Sequence, residues 1–172
     1  MPDAPGLELI RGEIERDLPR SVLATSYEHG CAALIADPEQ ILAVLGWLRD
    51  TPGQRYDFLS SLHVADYLPA EPRFGVHYEL LNRNRRERLR VKAMLADPGE
   101  GALPEIDSCV GLFPTADFQE REGYDFFGIV FRGHPNLTRI LMPDDYVGWP
   151  QRRDFPIGGE PVTFTYNEHA RG

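Results

Sequence analysis

Two patterns of apolar residues follow one another near the start of the chain. Apolar residues first recur at spacings of three and four, at Leu7, Ile10, Ile14 and Leu18. This spacing predicts an amphipathic helix that ends before Pro19. The apolar segments 22–27 (VLATSY) and 31–36 (CAALIA) then flank a short loop that contains Gly30. Such a loop between two apolar segments predicts a β-hairpin.

A second helix is predicted from the residues at its two ends. Asp37 suits the N-cap, Pro38 the first helical position, and Gln40 the third position of a capping box. The apolar residues that follow are Ile41, Leu42, Val44, Leu45, Trp47 and Leu48. We expect this helix to end before Pro52 and Gly53, because neither residue favours a helix interior.

Strand patterns replace helical ones in the middle of the chain. Segments 56–67, 73–82 and 86–95 are predicted strands, and the last two form a hairpin around Arg83. The basic residues of this hairpin are Arg83, Arg85, Arg86, Arg88, Arg90 and Lys92. Our main interpretation is a solvated face of an antiparallel sheet. The alternative is an electrostatic contact with an acidic partner subunit.

The C-terminal part begins with a turn-rich segment, 96–108, followed by a helix predicted over 115–127. After that helix, proline and glycine interrupt every candidate element, although apolar and aromatic residues continue. A segment too interrupted to form its own core, yet too apolar for water, is expected to lie on another surface. We therefore predict an α+β domain over 1–131, with helices packed on a mainly antiparallel sheet, and an extended docking arm over 132–172, here called the arm.

Composition narrows the possible functions. The formal net charge of -9 disfavours a nucleic-acid binder, which needs a basic surface. The only two cysteines, Cys31 and Cys109, cannot supply the thiolates of an iron–sulfur cluster. No apolar run approaches the roughly 20 residues that span a bilayer. We expect a soluble chain that reaches a membrane only through partner subunits.

The charged residues around the third helix suggest two kinds of chemistry. Glu120, Glu122, Asp125 and His134 are candidate acid, base or metal-ligand groups, but on a helix only Glu122 and Asp125 share a face. A metal-dependent hydrolase that uses Glu122, Asp125 and His134 is therefore a weaker hypothesis, and no HExxH, P-loop or GxSxG motif supports it. The simpler expectation is that Arg121 pairs with Asp125 on the helix surface.

Segment 120–156 (EREGYDFFGIVFRGHPNLTRILMPDDYVGWPQRRDFP) also carries a longer, ordered pattern. It resembles the signature of the C subunit of proton-pumping NADH:quinone oxidoreductase, respiratory complex I. Segment 58–67 (FLSSLHVADY) is similar to that family as well. The resemblance covers most of the chain and is most specific after position 104.

The resemblance implies a non-catalytic peripheral-arm subunit that binds no cofactor itself. The whole complex would use NADH, FMN, iron–sulfur clusters and quinone, and this chain would pack beside the D and B subunits. It would lie peripherally on the cytoplasmic face of a bacterial membrane. The alternative within the same class is the equivalent subunit of a membrane-bound hydrogenase or related electron-input complex.

Under this interpretation the charged residues of segment 120–156 serve docking. The predicted docking residues are Glu120, Arg121, Glu122, Asp125, His134, Arg139, Asp144, Asp145, Arg152, Arg153 and Asp154. Counter-charges for Arg139, Arg153 and Asp154 are expected from a partner or from a distant part of this chain, because the arm supplies few nearby. Charge-assisted pairs surrounded by aromatic residues are typical of well-anchored interfaces.

Overall fold

A computed structural model of the chain describes residues 1–99 and 101–156. Within those ranges there are three α-helices: α1 (Ala4–Asp17), α2 (Ile41–Asp50) and α3 (Ala116–Phe127). The first three strands are β1 (Val22–Glu28), β2 (Cys31–Ala36) and β3 (Phe58–Asp66). The remaining strands are β4 (Phe74–Asn82), β5 (Glu87–Leu95), β6 (Glu105–Asp107) and β7 (Val130–Arg132). The predicted α+β class is confirmed.

The N-terminal elements form where the apolar patterns predict them. The carboxylate of Asp3 accepts a hydrogen bond from the Gly6 N–H at 2.8 Å and so caps α1. The buried residues of α1 are Leu7, Ile10 and Ile14. Strands β1 and β2 pair as the predicted antiparallel hairpin, and its turn uses the left-handed conformation at His29 and Gly30, with φ of 52° and 75°.

The second helix begins differently from the prediction. Pro38–Gln40 forms a short 3-10 helix, capped by the Asp37 carboxylate, which accepts from the Glu39 N–H at 3.1 Å. The Gln40 side chain donates to the Arg20 carbonyl oxygen at 3.3 Å, so the expected capping box does not form. Helix α2 then follows from Ile41 and buries the apolar side chains predicted for it: Ile41, Val44, Leu45 and Leu48.

The main sheet has five strands in the order β1-β2-β5-β4-β3. All neighbouring pairs are antiparallel except β2 and β5, which run parallel with Leu34 opposite Val91. The sheet is therefore mainly antiparallel, as predicted. A second, two-stranded parallel sheet joins β6 to β7, with Ile106 opposite Phe131. The prediction of a plain turn-rich bridge over 96–108 was wrong on this point, because β6 lies within it.

The helices and the core lie on one face of the main sheet. Thr25 of β1 donates a hydrogen bond to Glu8 of α1 on this face, and α3 packs on Val64 of β3. Alternate residues of β4 point into this core and are fully buried: Phe74, Val76, Tyr78 and Leu80. The opposite face bears Arg88, Arg90, Lys92 and Met94 of β5 and is here called the open face. Residues 133–156 of the arm contain no helix or strand.

Candidate docking site

Helix α3 carries most of the predicted docking residues and lies very close to both sheets. Its C-terminus is set by Gly128, which has φ of 71° and donates its N–H to the Tyr124 carbonyl oxygen at 2.8 Å. A Cβ atom at Gly123 would lie 2.9 Å from Val64 and 3.2 Å from the ring of Phe131. Glycine at this position therefore lets α3 approach β3 and β7 closely enough to support the arm.

The Asp125 carboxylate connects α3 to the arm. One oxygen accepts from the backbone N–H groups of Ile140, Leu141 and Met142 at 3.0, 2.7 and 2.9 Å, and the other accepts from Arg139 at 2.7 Å. Burial alone would raise the pKa of Asp125, but these four donors reverse the effect and hold the pKa below its ordinary value. We call this set of contacts the Asp125 clamp.

Arg139 extends the clamp through the arm. Its guanidinium donates to the Asp125 carbonyl oxygen at 3.0 Å and to the carbonyl oxygens of Tyr146 and Gly148 at 2.9 and 3.1 Å. The same group lies 4.8 Å from the ring centre of Trp149. One cation therefore fixes the path of the arm from 139 to 149.

The expected pairing of Arg121 with Asp125 was wrong. Arg121 instead donates to the carbonyl oxygens of Thr138 and Arg139, at 3.2 and 2.9 Å. The physical reason is that Asp125 is buried and already receives four stronger contacts from the arm. A spacing of four on a helix allows a surface pair, but it does not compete with backbone N–H donors at a buried carboxylate.

Glu120 is also buried, beneath the start of the segment that follows β6. It accepts from the Ser108 hydroxyl at 2.6 Å and from the Cys109 N–H at 2.7 Å. Burial raises the pKa of Glu120, and these hydrogen bonds offset only part of the increase. The side chain therefore joins α3 to its own domain and offers no exposed surface of its own for docking.

A second set of charges holds the end of the arm. Arg73 is 4% exposed and donates to Asp66, Asp97 and Asp154 at 2.9, 2.7 and 2.7 Å. Asp66 also accepts from the Arg153 N–H at 2.8 Å. Burial alone would raise the pKa of Asp66, but hydrogen bonds, chiefly from Arg73, lower it to about 2. The counter-charge of Asp154 thus comes from a distant part of this chain, one of the two sources anticipated.

Arg152 lies between these two anchors. Its Nε donates to the Phe127 carbonyl oxygen at 2.7 Å, and its guanidinium lies 5.0 Å from the ring centre of Phe74. Burial lowers the pKa of Arg152, and the nearby Arg73 adds to that effect. A Cβ atom at Gly128 would lie 2.6 Å from the Trp149 ring, so this glycine allows the arm to cross the end of α3.

Similarity to known proteins identifies the family. A family model described as "Respiratory-chain NADH dehydrogenase, 30 Kd subunit" matches residues 34–161. The chain belongs to this family. The C subunit of the NADH-quinone oxidoreductase of Herpetosiphon aurantiacus is 47% identical over 143 residues, covering 82% of this chain and 80% of that protein. The corresponding C subunit of Roseiflexus castenholzii is 42% identical over 159 residues, covering 92% and 89%.

Solved structures share the fold of this 30 Kd subunit family member. A trypsin-resistant fragment (1-134) of Nqo5 matches with a TM-score of 0.62 and 26% identity, covering 76% of this chain and 98% of that one. The membrane-bound sulfane sulfur reductase, an archaeal respiratory membrane complex, matches with a TM-score of 0.69 and 19% identity, covering 95% and 91%. The second similarity concerns the fold alone.

The three residues of the hydrolase hypothesis do not face a common site in this 30 Kd subunit. Glu122 is exposed, whereas Asp125 is buried in its clamp. The His134 ring nitrogen lies 3.1 Å from the carbonyl oxygen and 3.3 Å from a carboxylate oxygen of Asp117. Among the described residues, no group of three or more histidines, cysteines or carboxylates has a geometry that could hold a metal ion.

The exposed docking residues lie around the outer side of the arm. Glu122, Asp144, Asp145, Arg153 and Asp154 are exposed. Large apolar side chains of α3 and the arm are exposed as well: Phe118 at 63%, Leu141 at 62% and Val147 at 88%. The pattern of charges alone did not indicate these apolar residues, although their position beside Asp144 and Asp145 is visible in the sequence. Their docking role stays a prediction. Within 1–99 and 101–156, no helix is long and apolar enough to cross a membrane.

Proposed function

We propose that this chain is the C subunit of a proton-pumping NADH:quinone oxidoreductase and acts by docking rather than by chemistry of its own. Family membership supports the complex, and the Herpetosiphon and Roseiflexus relatives carry that name. The complex would use NADH, FMN, iron–sulfur clusters and quinone, all bound by other subunits. Its neighbours would be chiefly the D and B subunits, at the cytoplasmic face of the membrane.

The observation that carries the docking role is the way in which the arm is held. The buried charges of the docking segment face inward: Glu120 binds β6 and its following turn, and Asp125 binds the arm. These contacts hold an irregular segment in one shape on the surface of its own domain. Exposed apolar side chains on such a rigid segment are typical of an interaction site.

The chemistry of the exposed surface indicates the partner. Leu141 and Val147 project into solvent on either side of two adjacent carboxylates, Asp144 and Asp145. A complementary surface would present an apolar depression with basic residues at its rim. Apolar residues at the centre of an interface supply affinity, and rim charges mainly set orientation and association rate.

The test replaces both exposed apolar residues with aspartate in the native organism. A Leu141→Asp/Val147→Asp double variant should lower the amount of assembled complex recovered from membranes, because burying a carboxylate at an apolar interface is costly. Each assembled complex should still reduce quinone at the normal rate. The matched control is Leu9→Asp, a change of the same kind at a residue of α1 that is 71% exposed. It should leave assembly unchanged.

Two results would contradict the proposal. A normal amount of complex with reduced turnover would assign the arm a part in catalysis. Failure of the wild-type chain to co-purify with the D and B subunits from solubilised membranes would remove the assignment itself. Co-purification with hydrogenase subunits instead would favour the alternative electron-input complex.

A further inference from the structure

The open face of the main sheet has a composition unlike the rest of the chain. The strand registers place one residue of each strand side by side across this face, in the order Ala24, Ile35, Lys92, His77 and His63. The helices contribute to the core on the other side, so no helix among the described residues covers this row. The face is therefore available to a second layer.

The cations of the open face lie along β5, the central strand. Arg90 is paired with Glu79 of the neighbouring strand. Arg88 is exposed, and the Lys92 ammonium lies 5.4 Å from the ring centre of Tyr67. Neither Arg88 nor Lys92 forms an ion pair with any described residue. In a chain of net charge -9, this leaves an uncompensated positive strip in the middle of an uncovered sheet.

Small and apolar side chains lie directly beside this strip. Cys31, Ala33 and Ile35 occupy the open face of β2, next to β5 in the sheet. Beyond them Ala24 is exposed on β1. Long cationic side chains on one strand and short ones on the next form a shallow groove. Its floor is apolar and allows a helix to approach the sheet closely.

We infer that the open face binds an acidic amphipathic helix from another subunit of the complex. The apolar side of that helix packs on Ala33 and Ile35, and its carboxylates pair with Arg88 and Lys92. Charge complementarity selects the occupant, because a basic helix would be repelled by the uncompensated strip. The inference rests on the proposed function and specifies a second contact of the same subunit, remote from the arm.

The two cysteines provide a direct test. Cys31 lies half-buried on the open face, whereas Cys109 is fully buried in the core. In the isolated chain, N-ethylmaleimide should modify Cys31 and spare Cys109. In the complex purified from native membranes, modification of Cys31 should slow by at least about tenfold, because a covered thiol reacts only in transiently open states. Equal rates for Cys31 in the two samples would overturn the inference.

Lys92, the only lysine of the chain, provides the second test. A carbodiimide, which joins an amine directly to a carboxylate, should cross-link Lys92 to a carboxylate of another subunit in the purified complex. A Lys92→Arg variant should lose this cross-link while it keeps the charge. The absence of any Lys92 cross-link to another chain in the wild-type complex would also count against the inference.

Charge reversal connects the contact to assembly. Arg88→Glu should lower the yield of assembled complex by roughly tenfold, because it places like charges across the interface. Arg86→Glu is the matched control, since Arg86 is also exposed and lies in the hairpin turn outside the strand. Equal effects of the two reversals would refute a specific contact. If the wild-type chain assembles normally but Cys31 stays reactive, only this inference fails and the proposed function stands.

Discussion

Replacing Asp125 with asparagine should release the arm from α3 while the main sheet stays folded. Asparagine preserves the shape of the side chain but presents an NH2 group where the clamp needs an acceptor. Breaking a buried ion pair by removing one partner costs about 3 to 5 kcal/mol. We expect the lower end of this range, because Arg139 keeps the carbonyl oxygens of Tyr146 and Gly148. A cost of about 3 kcal/mol corresponds to roughly a hundredfold change in the opening equilibrium.

Hydrogen exchange followed residue by residue measures this equilibrium directly. In Asp125→Asn, the N–H groups of Ile140, Leu141 and Met142 should exchange roughly a hundredfold faster, because they lose their shared acceptor. Amides of β4 should exchange at the wild-type rate. Asp144→Asn, an exposed change in the same arm, should alter neither. Wild-type exchange at these three amides, or an equal acceleration in β4, would refute a local clamp.

Three further predictions concern stability. Arg73→Ala should destabilise the chain by about 3 to 5 kcal/mol in urea denaturation, because it leaves the buried Asp66 carboxylate without its cation; the exposed pair of Arg83 makes Arg83→Ala a control that should leave the midpoint unchanged. Gly123→Ala should destabilise by about 1 to 3 kcal/mol through overpacking, whereas Gly12→Ala on α1, with open space around it, should stabilise slightly. Acid denaturation tests Asp66, whose stabilising contribution should be complete above its unfolded pKa of about 3.9 and lost as pH falls through its folded pKa of about 2; an Arg73→Ala variant that keeps the same acid dependence would contradict this cause.

Local patterns predicted the elements of this fold well, and non-local pairings escaped them. The spacing of Leu7, Ile10 and Ile14 predicted α1 because a helix is defined by neighbours three and four residues away. The parallel pairing of β2 with β5 has no such signal, since the strands are distant in sequence and no turn joins them. Strands β6 and β7 have three residues each, too few for a period to show.

The same distinction applies to the docking segment. Its resemblance to a known family found Asp125 and Arg139, but the expected surface pair of Asp125 with Arg121 followed from helix spacing alone and was wrong. Arg73 carries no sequence signal, because a single arginine at the start of a strand gives no indication of three distant carboxylates. Burial turns such residues into anchors, and burial depends on the whole fold.

The hold of α3 on the arm has a thermodynamic consequence for association. A disordered segment would lose roughly 1 to 2 kcal/mol of backbone entropy per residue on becoming ordered at a partner surface. Here the Asp125 clamp and the Arg73 contacts already fix residues 139–154 on their own domain. Binding therefore joins two preformed surfaces, and its heat-capacity change should correspond to the area buried between the subunits, without a contribution from folding of the arm.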